Sequence, residues 1–246
     1  MNLTDRDFLE LAGIKREIQA FAGPDHVVID LTNDCNNNCI GCWTRSPLLQ
    51  DKAPDENWKK QYIPLEPFKQ LIINLKALGT KRIRFTGGGE PSLHPDFLTM
   101  VKLVKEAGFI LSITTNFTKF DKQLLSELIN LGVDNLSISL WAGSAITYSR
   151  IHLNKTERTF EKIKENLQYL IRERTTGKPE VFLLNVLNNL NFHETKEMVD
   201  FAFFTGVDGM YMTLLDPIKG KTDGLLISKE NQLKLVDQIN NLKFMV

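Results

Sequence analysis

The sequence predicts an α/β protein built on a parallel sheet, and three observations predict it. Short β-branched runs alternate with amphipathic helical stretches along the 246-residue chain. Glycines stand where several of those helices should stop. The alternation yields six strand–helix units, and strands separated by helices pair in parallel with the helices packed over the sheet. Such a pattern winds into an open doubly wound sheet or curls into a partial barrel, and periodicity alone does not separate the two.

The elements follow in order. Thr4 is placed to cap an opening helix over Asp5–Phe21, which Gly23-Pro24 then breaks. Val27–Thr32 is a β-branched run suited to a buried strand, and a long polar connection follows it. A helix starting near Leu65 carries Phe68, Leu71, Ile72, Leu75 and Leu78 on one face, with Gly79 positioned to end it. The cycle repeats: strand Arg82–Thr86, helix Asp96–Ala107 closed by Gly108, strand Ile110–Thr115, helix Lys122–Leu131 closed by Gly132. Strand Asn135–Leu140 precedes a longer helix, Glu157–Arg174, and strand Val181–Leu187 precedes helix His193–Thr205, closed by Gly206. Strand Gly209–Leu215 completes the series, and Ser228 caps a final helix reaching toward Phe244. This divides the chain into a helical extension, 1–24, and one domain, 25–246. The apolar ending Leu242-Lys243-Phe244-Met245-Val246 suggests that more chain follows in the full-length protein.

Composition excludes several classes. Lys and Arg together number 30, as do Asp and Glu, so the formal charge is zero and the basic excess of a nucleic-acid binder is missing. Hydrophobic residues make up 42%, enough for a sizeable core. The charged segment Met1–Glu10 is no signal peptide, and no apolar run approaches the roughly 20 residues of a bilayer span. The expected compartment is the cytoplasm, where thiols stay reduced.

All three cysteines fall within Asp34-Cys35-Asn36-Asn37-Asn38-Cys39-Ile40-Gly41-Cys42-Trp43, directly after the first strand. The spacing, C-x3-C-x2-C, suits three thiolates converging on a metal centre, and the Asn and Gly residues allow the loop to wrap. The polar residues between the cysteines argue against a buried helical stripe. A [4Fe–4S] cluster commonly takes four cysteines; three would leave one iron open to an external ligand. The alternative is a non-catalytic metal module, either a structural cluster or a zinc site completed by a histidine such as His94.

The segment resembles the cysteine motif of the radical S-adenosylmethionine (SAM) superfamily, C-x3-C-x-Φ-C with Φ usually aromatic. Here Φ is Gly41, and the aromatic, Trp43, comes one residue after the last cysteine. The second strand runs into Gly87-Gly88-Gly89-Glu90-Pro91, and Gly88-Gly89-Glu90 resembles the family's GGE motif. The resemblance implies a [4Fe–4S] cluster on Cys35, Cys39 and Cys42, with SAM bound at the open iron. Reductive cleavage would give a 5′-deoxyadenosyl radical that takes hydrogen from a peptide, sugar or other small molecule. The electron would come from a donor such as flavodoxin or ferredoxin.

The resemblance also implies roles for individual residues. Gly88, Gly89 and Glu90 would meet the SAM ammonium, an all-donor group that needs carbonyls and a carboxylate. Asn116, Ser137 and Ser139 would meet ribose or the methionine carboxylate, and Arg150 would pair with that carboxylate. The backbone at Gly41 would meet adenine, and the packing of the missing ring would be lost or taken over by Trp43. His152 is a candidate helix cap or substrate group, and Asn185 a candidate inward-pointing residue. All these positions lie at or beyond the C-terminal ends of strands, where barrel enzymes assemble their sites. With the resemblance, which covers roughly Val27–Leu215, that favours an α/β partial (β/α)6 barrel with parallel strands. The order of elements is similar to the branch that carries a C-terminal auxiliary-cluster domain (the SPASM/twitch type), although no cysteine follows Cys42.

Overall fold

Thr4 and Asp7 form a reciprocal capping box that starts α1 (Asp5–Arg16). The computed structural model describes residues 4–18 and 20–242. The helix stops short of the expected Phe21, because Glu17 turns left-handed at φ 59°. α1 buries none of its residues, so no packing face draws it further. Arg6 ties it to the rest of the chain through the carbonyls of Gly79 and Gly23.

The elements that follow are β1 (His26–Asp30), α2 (Glu56–Lys59), α3 (Leu65–Ala77), β2 (Arg82–Thr86), α4 (Phe97–Glu106) and β3 (Ile110–Thr115). Then come α5 (Lys122–Asn130), β4 (Asn135–Ser139), α6 (Ala145–Ile151), α7 (Glu157–Glu173) and β5 (Glu180–Leu187). The series closes with α8 (Thr195–Thr205), β6 (Gly209–Leu214) and α9 (Lys229–Leu242). Gly79, Gly108, Gly132 and Gly206 take positive φ at the ends of α3, α4, α5 and α8, a conformation that costs glycine little. Ser228 accepts a hydrogen bond from Asn231 N at the start of α9 (3.3 Å), and the expected reach toward Phe244 lies outside the described residues. The short helices α2 and α6 are absent from the sequence reading. Each is too brief to show a period and is held by a cap, Asp55 for α2 and Ser144 for α6.

The six strands pair in the order β1-β2-β3-β4-β5-β6, every pair parallel. Sequential order decides the architecture. Right-handed crossovers that always step to the next strand put every helix on the same side, whereas a doubly wound sheet reverses its order and is covered on both. The sheet is therefore a partial barrel, open between β1 and β6.

Strand alternation then gives each residue a face. Ile83, Phe85, Leu111, Ile113, Leu136, Ile138, Val181 and Leu183 form one core with helix residues that include Phe68, Met100, Leu125, Phe160 and Leu167. Their alternates, among them Arg84, Ser112, Thr114, Ser137, Ser139, Leu184 and Tyr211, take the inner face. Acidic residues in two of the loops entering strands pin the register: Asp134 accepts from Leu111 N (2.8 Å) and Asp208 from Val181 N (2.7 Å). Lys105 and Arg174 pair with them.

The core prediction is specific. Phe85 is fully buried and meets Phe68 edge-on at 5.9 Å. Phe85→Ala should lower unfolding stability by about 3–5 kcal/mol in urea titrations, whereas Val28→Ala, on the exposed side of β1, should change it by well under half that.

Candidate active site

The connection leaving β1 carries the three cysteines, and four neighbouring segments hold it. The first is the glycine turn after β2. An added Cβ at Gly89 would come within 2.0 Å of Asp34 O, and one at Gly87 within 2.9 Å of Thr32 O. These glycines are the surface on which the cysteine loop lies. Thr44 Oγ1 donates to Gly88 O (2.9 Å) and lies 3.4 Å from Cys42 Sγ.

The second tie is Glu90. Its carboxylate is almost wholly buried and accepts from Ser92 N, Ser92 Oγ, Thr115 Oγ1 (2.6 Å) and Asn116 N (2.7 Å). Its own N–H donates to Asp34 O (2.7 Å). Burial pushes the carboxyl above its usual range, and the bonds from Thr115, Asn116 and Ser92 pull it back. Of roughly four lone-pair directions on a carboxylate, three on Oε1 and one on Oε2 are engaged by the protein.

The third tie follows β3, where Asn116 Nδ2 donates to Asn36 Oδ1 (2.9 Å) and lies 3.8 Å from Cys35 Sγ. Asn116 Oδ1 accepts from Thr118 N and Thr118 Oγ1. Both ends of the amide have partners inside the protein, so Asn116 braces the loop.

The fourth tie is the segment after α6. Ile40 N donates to Ile151 O (2.8 Å), Leu153 N to Asn38 O and Asn154 Nδ2 to Asn36 O. His152 is buried, with Nε2 3.0 Å from Leu140 O and Nδ1 3.0 Å from Cys39 Sγ. A carbonyl only accepts, so Nε2 carries the proton and the neutral ring turns its Nδ1 lone pair to the thiol.

The three thiols are near enough for their charges to act on one another. Burial raises Cys39 most, followed by the charges of Cys42 and Cys35. Burial also raises Cys35, and Glu90 and Cys42 add to it. Ionising thiols so placed would take a cation among them. A zinc site completed by His94 does not fit: His94 has Nε2 on Ile63 O (2.9 Å) and Nδ1 accepting from Asp96 N (3.0 Å), so neither nitrogen is free.

The remaining candidates separate by face. Ser137 and Ser139 lie on the inner face of β4, and neither hydroxyl has a hydrogen bond among the described residues. Asn185 shares its face with Leu183 and Leu187, on the helix side, because alternation puts it out of step with Leu184 and Val186; the inward reading was wrong. Arg150 is exposed in the last turn of α6. Trp43 is 61% exposed and donates to Asp216 O (3.1 Å). The ring against Gly41 is Trp141, 3.3 Å from where a Cβ would stand, with Leu215 at 2.7 Å. Leu215 and Trp141, the latter at φ 60°, are thus the side chains that occupy the space at Gly41. Sequence reasoning missed Trp141, Tyr148, Thr44 and Asn154. The one available signal was the i, i+4 spacing of Tyr148 and His152.

The family model for the Radical SAM superfamily matches residues 29–202, from β1 through most of α8. The chain belongs to the radical SAM superfamily. That family uses a [4Fe–4S] cluster and SAM. It is 31% identical over 200 residues to a Pyrococcus furiosus tungsten-containing aldehyde ferredoxin oxidoreductase cofactor-modifying protein, an alignment covering 78% of this chain and 52% of that one. It is 30% identical over 179 residues to a probable GTP 3′,8-cyclase of Thermococcus kodakarensis, covering 72% and 53%. Among solved structures, Streptococcus suis SuiB bound to S-adenosylmethionine superimposes with a TM-score of 0.72 at 16% identity, over 96% of this chain and 51% of that one. The radical SAM chain described here thus spans about half the length of the curated relatives it matches. Among the described residues no helix is long and apolar enough to cross a membrane.

Two predictions follow from this geometry. Gly89→Ala should prevent iron uptake on reconstitution and lower the melting temperature, whereas Gly224→Ala, whose Cβ would meet nothing within 4 Å, should leave both unchanged. In the cluster-free radical SAM chain, burial pushes His152 down to about 4 from 6.5. Between those values the unfolded chain binds a proton that the native one does not. Stability should therefore be full above pH 6.5 and fall by about 3 kcal/mol as pH drops toward 4, a loss that His152→Gln should abolish in urea unfolding.

Proposed function

We propose that Cys35, Cys39 and Cys42 hold the [4Fe–4S] cluster of a radical SAM enzyme, and that SAM binds between the glycine turn and the inner face of β4. The single observation that supports this most is the loop itself, which carries three cysteines within eight residues and is tied to the ends of β2, β3 and β4. When bound, the cluster and SAM supply the hard chemistry: one-electron cleavage to methionine and a 5′-deoxyadenosyl radical that takes hydrogen from the substrate.

The protein's own residues bind and orient. Gly88 and Gly89 allow SAM's ammonium to approach backbone carbonyls, and Glu90 adds a carboxylate whose Oε2 has only Asn116 N on it. The hydroxyls of Ser137 and Ser139 face the same space and serve ribose or the methionine carboxylate. Arg150 reaches that carboxylate from α6, and the Gly41 backbone and Trp43 border the adenine. The electron comes from a small donor such as flavodoxin or ferredoxin in the cytoplasm.

The substrate is a peptide or small molecule. Two features support that range. The inner face changes character, from Ser112, Thr114, Ser137 and Ser139 to Phe182, Leu184 and Tyr211, with the Phe182 and Tyr211 rings 5.5 Å apart. The relatives act on cofactors or GTP by name, and SuiB has been seen with its precursor peptide SuiA.

Anaerobic reconstitution with iron and sulfide, followed by dithionite and SAM, should release 5′-deoxyadenosine detectable by chromatography. The triple variant Cys35→Ala, Cys39→Ala, Cys42→Ala should release none and hold no iron. A loaded wild-type protein that neither binds SAM nor cleaves it would count against the reading.

A further inference from the structure

Polar side-chain atoms buried without any partner are few among the described residues; apart from the Asn185 amide on β5 they belong to Asn37, Arg45, Trp141 and Tyr148, in or beside the cysteine loop. Tyr148 is fully buried, yet its hydroxyl has no hydrogen bond. Asn37, between Cys35 and Cys39, is 1% exposed and has neither amide atom paired. Tyr148 stands one helical turn before His152 on α6, their rings 4.3 Å apart, and His152 touches Cys39 Sγ. The Asn37 amide acts on both Cys39 and Tyr148, yet it reaches full hydrogen-bond geometry with neither.

A buried hydroxyl and a buried amide left unpaired are costly, and a phenylalanine and a leucine would fill the same space at no such cost. Both groups can donate, and each lies near enough to Cys39, as well as to the other, to act on it. Burial keeps the Tyr148 proton in place.

We propose that Tyr148 Oη–H and the Asn37 amide are hydrogen-bond donors to the sulfur at Cys39 once a cluster is bound, and that they set its reduction potential. The proposal rests on the ligand assignment above. A donor dipole aimed at a cluster sulfur stabilises the added electron, so each donor makes the cluster easier to reduce. Both are positioning residues: they act on the cluster through Cys39 and need not touch SAM.

The test is a potentiometric titration of the reconstituted protein followed by electron paramagnetic resonance, for wild type, Tyr148→Phe and Asn37→Leu, with iron content measured on each. Each variant is expected to load iron as wild type does and to shift the midpoint to more negative potential. The double variant should shift it further than either. In deuterated buffer, exchangeable-proton couplings to the reduced cluster should weaken in Tyr148→Phe. If one variant fails to load, the other still decides the matter. Unchanged midpoints and couplings at full iron content would overturn the donor assignment alone. A wild-type protein that takes up no four-iron cluster would instead overturn the ligand assignment beneath it, and the iron analysis separates the two failures.

Discussion

The buried carboxylate of Glu90 is the constraint on which the site depends. Through Thr115 and Asn116 it locks the end of β2 to the end of β3, and through its N–H it holds Asp34, the residue before the first cysteine. A charge this deep is tolerated only because four donors surround it. Removing the carboxylate would leave all four donors without this acceptor. The geometry of the thiols is thus inherited from the sheet, since two strand ends in fixed register position the carboxylate that positions the loop.

The other ties extend this outward. Asn116, itself held by Glu90, reaches Asn36 and Cys35. On the far side, α6 is capped by Ser144 and braced by Glu194, which accepts from Gly143 N, Ser144 Oγ and Thr147 Oγ1. That brace fixes Tyr148 and His152 behind Cys39. The loop is long and polar, the kind of segment that is ordinarily mobile, and it is ordered here by side chains from β2, β3 and α6 rather than by any secondary structure of its own.

Much of this was legible in the chain. The six strands were readable because buried parallel strands are continuous apolar runs bounded by turn residues, and helix ends such as Gly79 and Gly108 were readable because few other residues take positive φ cheaply. The cysteine spacing and the three glycines before Glu90 were equally plain. What escaped was tertiary. Nothing local marks Trp141 as the ring that fills the space at Gly41, because the two meet only when β4 and the loop after β1 close on each other. That Asn116 and Glu90 also brace the cysteine loop escaped as well, because residue type reveals polarity but not which partners satisfy it. The opening helix read too long for a related reason: its apolar residues keep period, but with no neighbour to bury them the period has no consequence.

The approach of Gly89 to Asp34 also limits how such a site can diversify. At 2.0 Å no side chain of any kind fits, so this half of the site offers evolution almost no alphabet. The opposite half is different. Ser137, Leu184 and Tyr211 stand on the inner face with no comparable backbone pressed against them. Sequence change can accumulate there without disturbing the thiols, and one scaffold can keep its means of starting a reaction while changing what it acts upon.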